Sequence, residues 1–124
     1  TCCMDLNGKI FKVKQNNILY SNIKNIESEL KDCDKYNFSF NELGTSEIFP
    51  QTLICSPNGR YIAVVGDGEF IVYTTIALRS KIFGTGDRFV WCNDSNCFAS
   101  RENLNIILYK NFKEYKKSKL DYTP

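Results

Sequence analysis

The chain has 124 residues and a mass of 14.3 kDa, with 16 Lys+Arg against 14 Asp+Glu for a formal charge of +2, and is 43% apolar and 24% charged. That size admits one ordinary domain with a useful core and excludes two large ones, and the balance excludes a polybasic arm, an acidic tail and a disordered chain. Histidine is absent, which removes Ser-His, Cys-His and His-metal arrangements together and favours binding over catalysis.

No apolar run approaches the ~20 residues of a bilayer crossing. The opening Thr1-Cys2-Cys3-Met4-Asp5 lacks the basic start and apolar middle of a signal peptide, so a soluble chain is expected. Residues 1–23 read as the end of a strand-built unit. Met4-Asp5-Leu6-Asn7-Gly8 is a turn, Lys9-Ile10-Phe11-Lys12-Val13 alternates with period two, and Asn16-Asn17 leads into Ile18-Leu19-Tyr20. Residues 24–50 are polar and uneven, and are expected to be a long connection with one helical turn near Ile26 to Leu30.

From residue 51 the pattern sharpens. Thr52-Leu53-Ile54-Cys55 is followed by Ser56-Pro57-Asn58-Gly59, in which Pro sets φ for a tight turn and Gly accepts positive φ. Tyr61-Ile62-Ala63-Val64-Val65 and Glu69-Phe70-Ile71-Val72-Tyr73-Thr74-Thr75 are β-branched and aromatic runs joined through Gly66-Asp67-Gly68, a strong hairpin signal. Leu78-Arg79-Ser80-Lys81-Ile82-Phe83 completes four strands, over residues 51–83.

The pattern then restarts. Phe89-Val90-Trp91-Cys92, Cys97-Phe98-Ala99-Ser100 and Leu104-Asn105-Ile106-Ile107-Leu108-Tyr109 are divided by Asn93-Asp94-Ser95-Asn96 and Arg101-Glu102-Asn103, giving a second unit over 88–119. A shift of 36 positions lays Asn58 on Asp94, Ile62 on Phe98, Ala63 on Ala99 and Phe70-Ile71-Val72-Tyr73 on Ile106-Ile107-Leu108-Tyr109 without a gap. A period of about 40 residues made of four short strands is the signature of a β-propeller blade. The expected fold is therefore all-β, a partial propeller of about two and a half antiparallel blades. Propellers close with about four to eight blades, so these residues are expected to be a piece of one larger domain. As an isolated fragment they are expected to self-associate through faces that further blades would hide.

The cysteines Cys2, Cys3, Cys33, Cys55, Cys92 and Cys97 lack the paired-knuckle spacing of a zinc site, and Cys55, Cys92 and Cys97 lie in apolar segments, where each is expected to behave as a small buried hydrophobe. Reduced, cytosolic thiols are expected. Asn37-Phe38-Ser39 and Asn93-Asp94-Ser95 match the glycosylation sequon, which matters only in a secreted protein. Asp5, Asp67, Glu69, Asp87, Asp94 and Glu102 are the carboxylates a hydrolase would need, but each adjoins a turn where the side chain serves the local backbone. Gly84-Thr85-Gly86 lacks the third glycine and the following helix of a dinucleotide loop.

The lysines and aromatics from Lys110 to Lys119 read as a solvated outer strand, so no nucleic-acid partner is expected. Arg101-Glu102 is either an internal ion pair or an interface contact, and Trp91 is read as a blade core residue. The sequence assigns no catalytic, cofactor-binding or metal-binding residue, calls for no cofactor, and names no partner-contacting residue.

The segments Glu47-Ile48-Phe49-Pro50-Gln51-Thr52, Pro57-Asn58-Gly59-Arg60, Gly66 to Thr74, Ala77-Leu78-Arg79 and Lys110-Asn111-Phe112-Lys113-Glu114 closely resemble the beta-prime family of COPI coatomer subunits in order and spacing. Asp5 to Lys14 resembles the beginning of the same region. The Asn- and Lys-rich replacements in residues 12–37 resemble those of proteins from AT-rich genomes such as apicomplexan parasites. The resemblance implies a fragment of the second WD-repeat propeller of a structural, non-enzymatic coat subunit in retrograde Golgi-to-ER transport. It further implies a cytoplasmic location, peripheral on the Golgi membrane and on COPI-coated vesicles. The implied partners are other coatomer subunits, alpha and epsilon especially, in a coat recruited by a small GTPase. The alpha coatomer subunit, another WD-repeat adaptor and a carboxylate-dependent propeller enzyme are the alternatives.

Overall fold

Tight turns set the course of the chain. Asp67 (φ 53°) and Gly68 (φ 76°) form a two-residue loop with both φ values positive, the geometry whose twist matches that of paired strands. Asn111 (φ 51°) and Phe112 (φ 61°) form another. The computed structural model describes residues 1–23, 35 and 37–122, and shows three four-stranded sheets. The first contains β1 (Cys2–Met4), β2 (Lys9–Lys14), β3 (Asn17–Asn22) and β4 (Asn41–Thr45). The second contains β5 (Thr52–Cys55), β6 (Tyr61–Gly66), β7 (Glu69–Thr74) and β8 (Ser80–Thr85). The third contains β9 (Arg88–Trp91), β10 (Cys97–Glu102), β11 (Asn105–Lys110) and β12 (Lys113–Lys119). Every neighbouring pair is antiparallel and consecutive in the chain, so each sheet is a meander.

The apolar run of β6 follows from its position between two sheets. Side chains alternate across a strand, so Ile62 and Val64, with Leu53, Ile71 and Tyr73, face the first sheet and pack on Phe11 and Ile18. Ala63 and Val65, with Phe70 and Val72, face the third sheet and pack on Phe89, Phe98, Ile107 and Tyr109. Phe11, Ile18, Ile62, Val64, Phe70 and Val72 are fully buried, and each such side chain contributes on the order of 1.5–3 kcal/mol. The second interface is rich in rings: Phe70 lies 5.3 Å from Phe89 and 5.8 Å from Tyr109, and Phe98 stacks on Phe89 at 4.8 Å and on Tyr109 at 4.6 Å.

Hydrogen bonds across the sheet boundaries fix their relative height. The Trp91 indole donates to the Ile54 carbonyl (3.1 Å), the Asn58 amide donates to Ser95 Oγ (3.0 Å), and the Glu47 amide donates to the Tyr73 hydroxyl (3.1 Å). Trp91 is thus half-buried and pinned between the second and third sheets, in keeping with its reading as a core residue.

The 36-residue shift found in the sequence superimposes strands: β5, β6 and β7 start at 52, 61 and 69, and β9, β10 and β11 at 88, 97 and 105. The segment 24–50 differs from expectation. It is not connection throughout, because residues 41–45 form β4 and complete the first sheet, making three blades in place of two and a half. Its pairing with β3 runs through a bulge between Ile18 and Leu19, and Leu43 is its one large apolar residue, so periodicity gives no signal there. Gly44 is required by the packing, since a Cβ on it would stand 2.8 Å from Leu78 Cδ2. The helical turn expected between Ile26 and Leu30 lies outside the described residues.

Two glycines separate steric from conformational constraint. A Cβ on Gly66 would run into the Phe49 carbonyl oxygen, whereas Gly68 has open space around it and only its positive φ to protect. Gly66→Ala is expected to lower the unfolding free energy by about 3 kcal/mol and Gly68→Ala by about 1 kcal/mol, measured by urea denaturation; equal losses would contradict this account. Phe70→Ala, which empties the centre of the ring cluster, is expected to cost about 4 kcal/mol by the same measurement.

Candidate interaction surfaces

The same alternation that buries both faces of the second sheet leaves the end sheets one-sided. In the third sheet Phe89, Trp91, Phe98, Ile107 and Tyr109 turn inward, and strand register places Val90, Ala99, Ile106 and Leu108 on the opposite face. Val90 is 64% exposed, Leu108 38% and the adjoining Tyr115 71%. Two shallow depressions run along this face, of 390 and 410 Å³. Val90, Cys97, Ala99, Leu108 and Tyr115 line the first, and Arg88, Val90, Ala99, Arg101 and Ile106 the second. In the first sheet, Met4, Ile10, Lys12 and Leu19 share the face opposite Phe11 and Ile18. Met4 is 59% exposed, and Lys12 Nζ sits 3.9 Å from the Phe40 ring centroid.

The carboxylates singled out in the sequence do not converge. Asp5 is buried and its Oδ1 accepts from the amides of Asn7 (2.9 Å) and Lys9 (2.8 Å), holding the turn between β1 and β2. Asp94 does the same for the Asn96 amide (3.0 Å) between β9 and β10. Asp67 Oδ1 accepts from the Gln51 side-chain amide (3.2 Å). Asp87 takes both arms of the Arg101 guanidinium, Nε to Oδ1 at 3.2 Å and Nη2 to Oδ2 at 2.7 Å, and this hydrogen bonding holds its carboxyl below the usual carboxylate range. Arg101 therefore pairs internally, with Asp87 as its partner across the β9–β10 strand pair. Glu69 and Glu102 stand at corresponding hairpins of the second and third sheets, opening β7 and closing β10.

Gly84 and Gly86 serve packing. A Cβ on Gly84 would meet the Phe70 ring at 2.7 Å, and one on Gly86 (φ 155°) would meet the Arg101 carbonyl oxygen at 3.0 Å. The lysines Lys113, Lys116, Lys117 and Lys119 lie on β12, the edge strand of the third sheet, where charge discourages further strand pairing. Phe112 departs from the reading of Lys110 to Lys119 as a solvated outer strand, because it is half-buried against the core of the second and third sheets. A bulky residue with positive φ is strained, and here it is held by an edge-on contact with Tyr61 at 4.9 Å and by Phe98 at 6.1 Å, wedged between the second and third sheets. Its position two residues after Lys110, between strand-forming runs, is the only sequence signal for it. Among the described residues, no three Cys, Asp or Glu side chains group as a metal site requires.

What this arrangement offers is surface: the outer faces of the first and third sheets present exposed apolar side chains, Met4 on one and Val90 and Leu108 on the other. Comparison with known proteins agrees with that geometry. The model of the family described as COPA/B second beta-propeller matches residues 15–124. Coatomer subunit beta' of Mus musculus and of Homo sapiens are each 43% identical to the chain over 121 residues, covering 96% of it and 13% of each relative. The probable coatomer subunit beta' of Caenorhabditis elegans is 46% identical over 123 residues, covering 95% of the chain and 12% of the relative. The chain thus spans about one-eighth of the length of these relatives.

Among solved structures, a eukaryotic initiation factor aligns with a TM-score of 0.67 at 11% identity, over 97% of this chain and 32% of that one. A chain of the yeast heterotrimeric Nup82-Nup159-Nup116 nucleoporin complex aligns with a TM-score of 0.63 at 14% identity, over 99% and 33%. These two likenesses concern the fold alone. Three meandering four-stranded sheets packed face to face, the match over residues 15–124 and identities of 43–46% to coatomer subunits beta' together establish that the chain belongs to the COPA/B second beta-propeller family.

Proposed function

We propose that this chain is part of the second propeller of a structural subunit, coatomer subunit beta', in the COPI vesicle coat. In this role it serves retrograde Golgi-to-ER transport as a protein-interaction scaffold and not as an enzyme. The observation that carries the reading is the 42–46% identity to coatomer subunits beta' over 95–96% of the chain. The structure supports a scaffold physically. A sheet stack anchored by buried rings is rigid, and a large rigid surface binds partners through a few well-packed contacts without the ordering cost of a mobile loop. The open faces of the first and third sheets are read as the seats of the adjoining blades of the parent ring. The alpha and epsilon coatomer subunits are the partners expected of the assembled domain, in a cytoplasmic coat brought to the Golgi membrane by a small GTPase. Scaffold function needs no cofactor.

Affinity purification of the full-length protein from its own cells tests the reading: alpha and epsilon coatomer subunits are expected in near-equimolar yield. Recovery without any coatomer subunit would replace the coat by an independent WD-repeat adaptor. The open faces make a second expectation. A polypeptide of residues 1–124 is expected to self-associate in sedimentation equilibrium at high concentration, and Val90→Glu with Leu108→Glu to shift it toward its 14.3 kDa monomer. A monomeric parent polypeptide at the same concentration would contradict the assignment of that face.

A further inference from the structure

The first and second sheets meet at a pair of sulfurs. Cys3 lies on β1 and Cys55 ends β5, strands of different sheets that run close together, and the two Sγ atoms are 2.7 Å apart, with either thiol able to donate the hydrogen bond between them. That separation exceeds a covalent S–S bond of about 2.05 Å by well under one ångström. Both residues are half-buried at the margin of the core shared by the two sheets, so a small solute reaches them while the surrounding strands hold them in place. Cys2 belongs to the same strand but alternation turns it to the opposite, exposed face, Cys97 opens β10, and Cys92 follows β9 and is exposed, contrary to the burial its apolar neighbours suggest.

We propose that Cys3 and Cys55 are an oxidisable thiol pair that closes a disulfide between adjacent blades, with hydrogen peroxide as the two-electron oxidant. The hydrogen bond with Cys3, then burial, keep the Cys55 thiol protonated above its usual range, which makes it a poor first nucleophile toward peroxide and leaves that attack to Cys3. In the first step the Cys3 sulfur attacks one peroxide oxygen. The O–O bond breaks, an S–O bond forms, Cys3 becomes a sulfenic acid, and one water leaves carrying the thiol proton. In the second, the Cys55 sulfur attacks the Cys3 sulfur. The S–O bond breaks, the S–S bond forms, and a second water leaves with the Cys55 proton. The two thiols together lose two protons and two electrons, and peroxide is reduced to two waters.

The consequence is mechanical. β1 and β5 share no sheet, so the bond would add a covalent tie to the side-chain packing and hydrogen bonds that join the two blades, across a sequence separation of 52 residues. Neither residue takes part in the open faces, so the pair is independent of what covers them.

Peptide mapping without reductant, on the full-length protein treated with equimolar hydrogen peroxide, tests the proposal. The expected product is one linked peptide containing Cys3 and Cys55, two hydrogens lighter than the sum of its parts and released by reductant. Cys2→Ser is expected to retain it, and Cys3→Ser and Cys55→Ser to abolish it. Wild-type protein in which Cys3 advances to sulfinic acid, in which both thiols stay reduced, or in which Cys55 is linked to Cys2 instead, would overturn the proposal without reference to any variant. Urea midpoints of the reduced proteins confirm that each serine variant is folded when it is oxidised.

Discussion

The burial of both faces of one sheet governs this structure. β6 and β7 are apolar on even and odd positions alike because neither face meets water. Ile62, Val64, Ile71 and Tyr73 serve the first interface, and Ala63, Val65, Phe70 and Val72 the second. A single antiparallel sheet with that composition would be insoluble, and it is only as the middle layer of three that it becomes a core. The pairing register then carries further constraints. Phe70 lies opposite Gly84 and its ring covers the space a side chain would fill, while Gly66 passes beneath the Phe49 carbonyl.

The boundaries between sheets are reinforced at their turns. The turn at Asp5 abuts Gly59, the turn at Asn58 is held by Ser95, and Trp91 reaches back to the Ile54 carbonyl. Asp5 and Asp94 accept from amides of their own turns, so their carboxylates shape the turns between strands. Phe112 accepts a strained backbone to place its ring beside Tyr61 and Phe98, a local conflict resolved by tertiary packing.

Much of this was legible in the sequence because turn chemistry and composition coincide. Asp67-Gly68 announced its hairpin, and the shift of 36 positions that aligned Ala63 with Ala99 and Tyr73 with Tyr109 also aligns three strands of the second sheet with three of the third. β4 was illegible. Asn41-Glu42-Leu43-Gly44-Thr45 is a strand because β3 offers it a hydrogen-bonding edge and Leu78 needs Gly44, and neither cause is local to those five residues. The Asp87–Arg101 pair and the Cys3–Cys55 contact were hidden for the same reason, since both join residues that only the packing of strands brings together. Family resemblance carried the functional reading further than pattern did, because no motif in the residues points to a particular chemistry or partner.

Hydrogen–deuterium exchange of residues 1–124 tests the central claim most directly, because protection reports how deeply each strand is held in the stack. If two-sided burial of the second sheet organises the structure, amides of β6 and β7 exchange last, and those of β12 and β4, on sheets with one open face, exchange first. Exchange of β6 and β7 as fast as that of β12 would show that the three sheets open independently, and would contradict the account.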